Sequence, residues 1–241
     1  MKRILLMVFR NLLLVPYAWI RLCYVAAHAE KYTKEERYRL LQYIDRHANR
    51  GGRILIDVHG AENIPEKDGF IFFPNHQGLY DVLAIVEACP RPFSVVMKKE
   101  VANIPFLKQV FACMGAQALD RADVRQGLKV IAQVAEEVKS GNNYLIFAEG
   151  TRSKMQNRLL DFKGGSFKSA VKAKCPIVPI AMNNTAEIFE AHFPKVKPCH
   201  VVIEYCASVY VKDLDRDAQK HLGTYTRNII QETIKKNQSL V

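Results

Sequence analysis

No two cysteines of this chain are spaced as CxxC, and no stretch reads GxGxxG or GxxxxGK[ST]. The first absence, with no histidine at zinc-site spacing, removes the familiar structural-metal and dithiol signatures. The other two remove the main sequence support for dinucleotide and P-loop nucleotide binding. Long uncharged apolar runs are also missing. Arg10 and Arg21 leave ten uncharged residues between them, half of the roughly 20 that a bilayer-crossing helix needs. There is no internal repeat and no low-complexity tract. The GGSFK stretch at 164–168 comes close to the esterase pattern GxSxG, but Lys168 stands where the last glycine belongs, which disfavours a serine nucleophile. The six cysteines, Cys23, Cys89, Cys113, Cys175, Cys199 and Cys206, are scattered among mostly apolar neighbours. They read as reduced, small core residues of a cytosol-facing protein.

What is present is a chain of 241 residues, 49% hydrophobic and 24% charged, enough to build one large core with a small appendage. Its net charge of +11 is uneven: residues 1–50 hold ten Lys/Arg against four acids. Basic residues mixed with so much Leu, Val and Trp suit an anionic membrane surface better than a nucleic-acid groove. The opening residues imitate a signal peptide, with Lys2 and Arg3, an apolar run and Ala27-His28-Ala29, yet Arg10 and Arg21 argue against one. A helix this apolar, with spaced arginines and with Tyr17, Trp19 and Tyr24 of the kind that favours headgroups, is expected to lie in the interface, with a kink at Pro16. Thr33 followed by Glu36 marks a capping-box start, and a second helix is expected to run to about Ala48. Gly51-Gly52 then reads as a boundary between a membrane-anchoring segment, 1–48, and a main domain, 49–241. The plainer alternative for both helices is a soluble hairpin packed on the core.

Beyond the glycines, β-branched and aromatic runs occur at 53–58, 70–73, 93–97, 144–148, 176–182 and 200–205. Helix-length segments at 80–88, 105–113 and 124–139 lie between several of them, and a closing helix is expected over 213–236 with Gly223 as its weak point. This alternation predicts an α/β fold: a mostly parallel or mixed central sheet flanked by helices.

Four stretches carry candidate chemistry. In FPNHQGLYD (73–81), His76 follows a strand and an acid follows five residues later. Five helical residues turn through about 500°, so the pair shares no helix face, and His76 must precede the helix. Asp81, in the first turn, then reaches back to one ring nitrogen and leaves the other free to take a proton. The alternative is an acid that only stabilises the helix start. In FAEGTRS (147–153), Gly150 permits a tight turn and Arg152 offers a planar fork for phosphate or carboxylate. The segment 97–121 begins with Met97-Lys98-Lys99 and returns to Asp120-Arg121, and PIVP (176–179) is a short buried strand.

Taken together, NHQGLYD, KKEVANIP…LDR, FAEGTRS and IVPI resemble, in order and spacing, the four blocks of the lysophosphatidate acyltransferase family, over about Gly51 to Ile180. Ala148 replaces the usual proline of the third block, and Val101 departs from the second. The leader is similar to the two-helix membrane collar of bacterial members. The resemblance implies transfer of a fatty acyl group from a thioester, acyl-CoA or acyl carrier protein, to the sn-2 hydroxyl of lysophosphatidate, giving phosphatidate. His76 would be the general base and Asp81 its orienting partner. Arg152, with Lys98 and Arg121, would clamp the acceptor phosphate. Asn75, Glu149, Gly150 and Thr151 would shape the pocket, and backbone N–H groups near the helix start would receive the oxyanion. No metal or organic cofactor is implied. The expected partners are membrane lipids and the acyl donor, not nucleic acid, at the cytoplasmic face. Within the same chemistry the alternative is another lysophospholipid or glycerol phosphate as acceptor. A non-catalytic, basic lipid-binding protein is the alternative of another class, and it gives His76 and Asp81 no role.

Overall fold

The computed structural model describes residues 2–120, 122–193 and 195–241. Seven strands form one sheet: β1 (Ile54–His59), β2 (Ile71–Pro74), β3 (Ser94–Lys98), β4 (Gln117–Leu119), β5 (Tyr144–Leu145), β6 (Ile177–Asn183) and β7 (Cys199–Tyr205). Their order is β1-β7-β6-β2-β5-β3-β4, parallel throughout except between β6 and β7. The mixed, mainly parallel sheet expected from the alternating pattern is therefore present. Ten α-helices join or cover these strands among the described residues: α1 (Lys2–Arg10), α2 (Leu14–Ala27), α3 (Lys34–Gly52), α4 (Asp81–Ala88), α5 (Leu107–Met114), α6 (Val124–Lys139), α7 (Lys168–Ala173), α8 (Thr185–Ile188), α9 (Arg216–Lys220) and α10 (Leu222–Lys236).

Both faces of the sheet are covered, which is why its central strands read as unbroken apolar runs. The pleat sends Phe72 of β2 into a core with Leu22, Tyr38, Leu41, Ile85 and Phe111 from α2 to α5. It sends Ile71 and Phe73 into a second core with Val130, Val134, Phe167 and Ile230 from α6, the segment before α7, and α10. The connection leaving β2 therefore packs on one face and the connection leaving β5 on the other, although β2 and β5 are adjacent and parallel. Diverging connections open a crevice at the carboxyl ends of the strands, where α/β sheets bind their ligands.

The leader differs from expectation in three places. Its first helix is interrupted at residues 11–13, ahead of Pro16. Pro16 then falls in the first turn of α2, where a missing N–H leaves no helical bond unmade. The capping box forms as read: Glu36 N–H donates to Thr33 Oγ1 at 3.2 Å and Thr33 N–H to Glu36 Oε2 at 2.8 Å. The helix nevertheless continues past Ala48 through Gly51 and Gly52, which are buried rather than forming a linker. A Cβ on Gly51 would lie 2.7 Å from Asn11 Nδ2 and 3.4 Å from Met7 Cα, so the glycine admits α1 against α3. Arg10 turns onto the same corner, its Nη1 donating to Gly51 O at 2.9 Å, where a helix end leaves carbonyls unpaired.

Other differences are local. The strand at 144–148 shortens to Tyr144–Leu145 because the chain then turns at residues 148–149, and the three-residue edge strand β4 carries too little apolar pattern to stand out. The closing helix breaks at His221, between α9 and α10, and not at Gly223. Gly223 is buried inside α10, and a Cβ there would sit 3.1 Å from Phe162 O. All six cysteines are unpaired.

Candidate active site

His76 stands in the loop between β2 and α4, and Asp81 is the first residue of α4. His76 Nδ1 lies 2.8 Å from Asp81 Oδ2. The same oxygen accepts from the backbone N–H groups of Gln77 at 2.6 Å and Gly78 at 2.9 Å. Three donors on one oxygen of a fully buried carboxylate fix the ring and assign the Nδ1 proton to the shared bond. No described residue holds Nε2, which is left with its lone pair. Phe147 stacks on the imidazole with centroids 3.9 Å apart.

The loop after β5 locks onto the loop after β2. Ser153 N–H donates to His76 O at 2.7 Å. Glu149 accepts from His76 N–H at 2.7 Å through Oε1 and from Leu160 N–H at 2.8 Å through Oε2. Burial raises the Glu149 pKa, while those two N–H groups oppose the rise. Gly150 takes φ +72°, a backbone state that favours glycine. A Cβ there would meet Lys163 Nζ at 2.9 Å. The expected pocket residues thus divide. Asn75 and Glu149 are buried struts. Asn75 bridges to β6, giving its Nδ2 hydrogen to Met182 O at 3.0 Å and taking one from Met182 N–H at 2.8 Å. Gly150 shapes the turn, and Thr151 is exposed.

Arg152 is half exposed, and its Nη1 lies 3.5 Å from Glu190 Oε1. Glu190 in turn accepts from the backbone N–H of Leu79, so Arg152 meets the His76–Asp81 loop through this carboxylate. Burial raises the Glu190 pKa, against the lowering by the Leu79 N–H. Lys98 ends β3 on the same edge of the sheet, two strand spacings or about 10 Å from β2, and it pairs with Glu100 at 2.9 Å. Arg121 lies outside the described residues.

Two residues of this site were not singled out from sequence. Gln77 is buried at the base of the loop. It donates to Asn157 Oδ1 at 3.0 Å and Met182 O at 2.9 Å, and accepts from Thr185 Oγ1 at 3.0 Å and Ala186 N–H at 3.1 Å. Its position between His76 and Asp81 was the available signal. Glu190, 111 residues from Leu79, offered none. Near the helix start, where backbone N–H groups were expected to receive an oxyanion, three are engaged in this structure: those of Gln77 and Gly78 by Asp81, and that of Leu79 by Glu190.

A family model described as Acyltransferase matches residues 55–183, more than half the chain, and spans both loops. Among curated relatives, the 1-acyl-sn-glycerol-3-phosphate acyltransferase of Cocos nucifera is 30% identical over 176 residues, 70% of this chain and 57% of the relative. The Salmonella typhimurium protein of the same name is 29% identical over 165 residues, 68% of this chain and 66% of the relative. The chain therefore spans less than two thirds of the length of these relatives. A solved structure from Thermotoga maritima, titled as the 1-acyl-sn-glycerophosphate acyltransferase PlsC, superposes with a TM-score of 0.78 at 20% identity, covering 98% of this chain and 97% of that one. That likeness establishes the fold. With the matched segment carrying the His76–Asp81 pair and the turn at Gly150, this chain belongs to the Acyltransferase family.

Proposed function

We propose that the protein moves a fatty acyl group from an acyl thioester to the sn-2 hydroxyl of lysophosphatidate, giving phosphatidate. The observation that carries this reading is the bond between His76 Nδ1 and the buried Asp81 carboxylate, with Nε2 unengaged. Nε2 takes the proton of the acceptor hydroxyl as its oxygen attacks the thioester carbonyl. Asp81 stabilises the imidazolium that results. Collapse of the tetrahedral intermediate forms the ester and breaks the C–S bond, and the departing thiolate takes the proton from Nε2. No protein nucleophile is consumed. Arg152, reinforced by Lys98 and Arg121, receives the phosphoryl end of the acceptor. The names of the relatives support the same acceptor. The donor is acyl-CoA or acyl carrier protein, either of which is acidic and attracted by a surface of charge +11.

The leader delivers both lipids. Leu5, Phe9, Leu12, Leu13, Tyr17 and Ile20 are each more than half exposed, while Leu22 and Val25 pack into the core. No helix of the described residues is long and apolar enough to cross a membrane, and an apolar face of this kind rests among headgroups. Residues 1–48 act as this anchor, at the cytoplasmic face, and 49–241 as the catalytic part. Five of the thiols have raised pKa values, led by Cys175 at about 12 through burial, as suits unreactive cysteines.

The test is acyl transfer to lysophosphatidate by purified protein in mixed micelles. His76→Ala is expected to lose at least about a hundredfold in kcat with its fold intact, and Arg152→Ala to raise the acceptor KM. Wild-type turnover in His76→Ala would refute the mechanism.

A further inference from the structure

Glu190 has no part in the proposed proton transfer, yet it lies against the loop that carries His76 and Asp81. Its Oε1 accepts from Leu79 N–H and lies 3.5 Å from Arg152 Nη1. Its Oε2 is buried and has no partner among the described residues. The carboxylate rests directly on Gly78: a Cβ at that position would fall 2.2 Å from Glu190 Oε2. Only glycine at position 78 leaves room for this contact, so two segments 111 residues apart are shaped to each other. A backbone N–H and a guanidinium converging on one anionic group make an anion site, and here the chain's own side chain fills it.

We propose that the Glu190 carboxylate is an internal stand-in for the substrate's phosphoryl group, holding Leu79 N–H and Arg152 until a phosphate monoester displaces it. The inference rests on the reading above that Arg152 takes the phosphoryl end. A carboxylate shares the sign of a phosphate and accepts from the same donors but carries less charge and fewer acceptor oxygens, so the incoming dianion competes for both donors. The unpartnered Oε2 makes Glu190 the easier group to release, because leaving the site returns that oxygen to water. While the stand-in is seated, Arg152 remains paired and ordered. An acceptor lacking the phosphate has nothing with which to displace it, and the contact therefore selects for phosphate monoesters.

The experiment compares binding of sn-glycerol 3-phosphate to the full chain by titration calorimetry, with thermal melts as the folding control. Glu190→Gln keeps an acceptor for Leu79 N–H but removes the charge, and Glu190→Ala removes the competitor. Both are expected to bind the probe about tenfold more tightly than wild type, the equivalent of one charge-assisted contact. The acceptor KM should fall in step while the acyl-donor KM stays constant. In an Arg152→Ala background, Glu190→Gln should give no such gain. Folded Glu190 variants that bind the probe no more tightly than wild type overturn the proposal. Equal tightening with and without Arg152 also overturns it, since that outcome is a general charge effect. If Arg152→Ala alone binds the probe as tightly as wild type, the phosphate role of Arg152 fails; if Arg152→Ala weakens binding but Glu190→Gln changes nothing, only the stand-in fails.

Discussion

Replacing Asp81 with Asn isolates the charge of the His–Asp pair from its geometry. Asp81 Oδ2 receives His76 Nδ1–H at 2.8 Å together with the N–H groups of Gln77 and Gly78. An asparagine with its amide oxygen in that position keeps all three bonds, and the opposite orientation would aim NH₂ at three donors. The amide nitrogen then takes the place of Oδ1, which is buried and has no partner. That unsatisfied donor replaces an oxygen already without a partner among the described residues, so the net loss is at most about 1 to 3 kcal/mol of stability, a fall of no more than several degrees in Tm for a chain of this size. The chemical cost is separate. An imidazolium and a carboxylate whose charges lie about 4 Å apart attract by about 4 kcal/mol at an effective dielectric near 20, and that attraction exists only after Nε2 has taken its proton. Removing it slows turnover by about three powers of ten.

The assay is kcat and acceptor KM for Asp81→Asn in mixed micelles, below its own Tm, beside His76→Ala. A drop of about a thousandfold in kcat is expected, with the acceptor KM changed by less than about threefold, because Asp81 does not touch the acceptor. Asp81→Asn turning over within threefold of wild type while His76→Ala is inactive would refute the assignment of the carboxylate to imidazolium stabilisation. It would leave Asp81 as a loop strut alone.

Gln77→Ala should destabilise the protein by roughly 2 to 4 kcal/mol, from four lost hydrogen bonds, and should lower kcat by loosening the chain after His76; urea unfolding and kinetics read the two effects. Asp45, buried between α3 and α4, has its pKa raised by burial and then by Glu87. The folded state therefore binds its proton more tightly, and the contribution to stability is full below the ordinary carboxylate range near 4 and is lost as pH rises through the raised value. Asp45→Asn should flatten the fall of Tm with pH above about 5, and a wild-type slope in the variant would reject this account. Leu13 and Ile20 are 93% and 68% exposed, and Leu13→Asp with Ile20→Asp should weaken co-sedimentation with phosphatidylglycerol vesicles at least about a hundredfold, given about 1.5 to 3 kcal/mol per buried side chain; unchanged binding would reject the leader as the membrane contact.

The reach of sequence reading here follows the distance over which each signal acts. The capping box at Thr33–Glu36 and the helix Val124–Lys139 involve neighbours in the chain, and both form as read. In the sequence Gly51-Gly52 reads as a boundary and Gly223 as a weak point of a helix, but the meaning of these glycines lies in what approaches them: α1 in one case, the Phe162 carbonyl in the other. A glycine that terminates a helix and one that admits a neighbour look alike in one dimension, and the choice between them is made by tertiary packing.

The same distinction separates the two carboxylates of the candidate site. Both claim backbone N–H groups of the single turn that leads into α4, Asp81 those of Gln77 and Gly78, Glu190 that of Leu79. Asp81 is local, so its spacing from His76 was enough to place it against one ring nitrogen, which in the fold is Nδ1. Glu190 arrives from beyond β6, and only the fold brings it there. Each keeps its contacts on one oxygen and leaves the other without a partner among the described residues, but they differ in what they hold: the fully buried Asp81 holds the imidazole and two backbone N–H groups, while Glu190 holds one backbone N–H and a half-exposed arginine. On the function and the stand-in proposed above, a carboxylate that the base cannot lose and one that a stronger anion can replace are set side by side on the same turn, the first to steady a positive charge on the imidazole and the second to yield Leu79 N–H and Arg152 to the substrate.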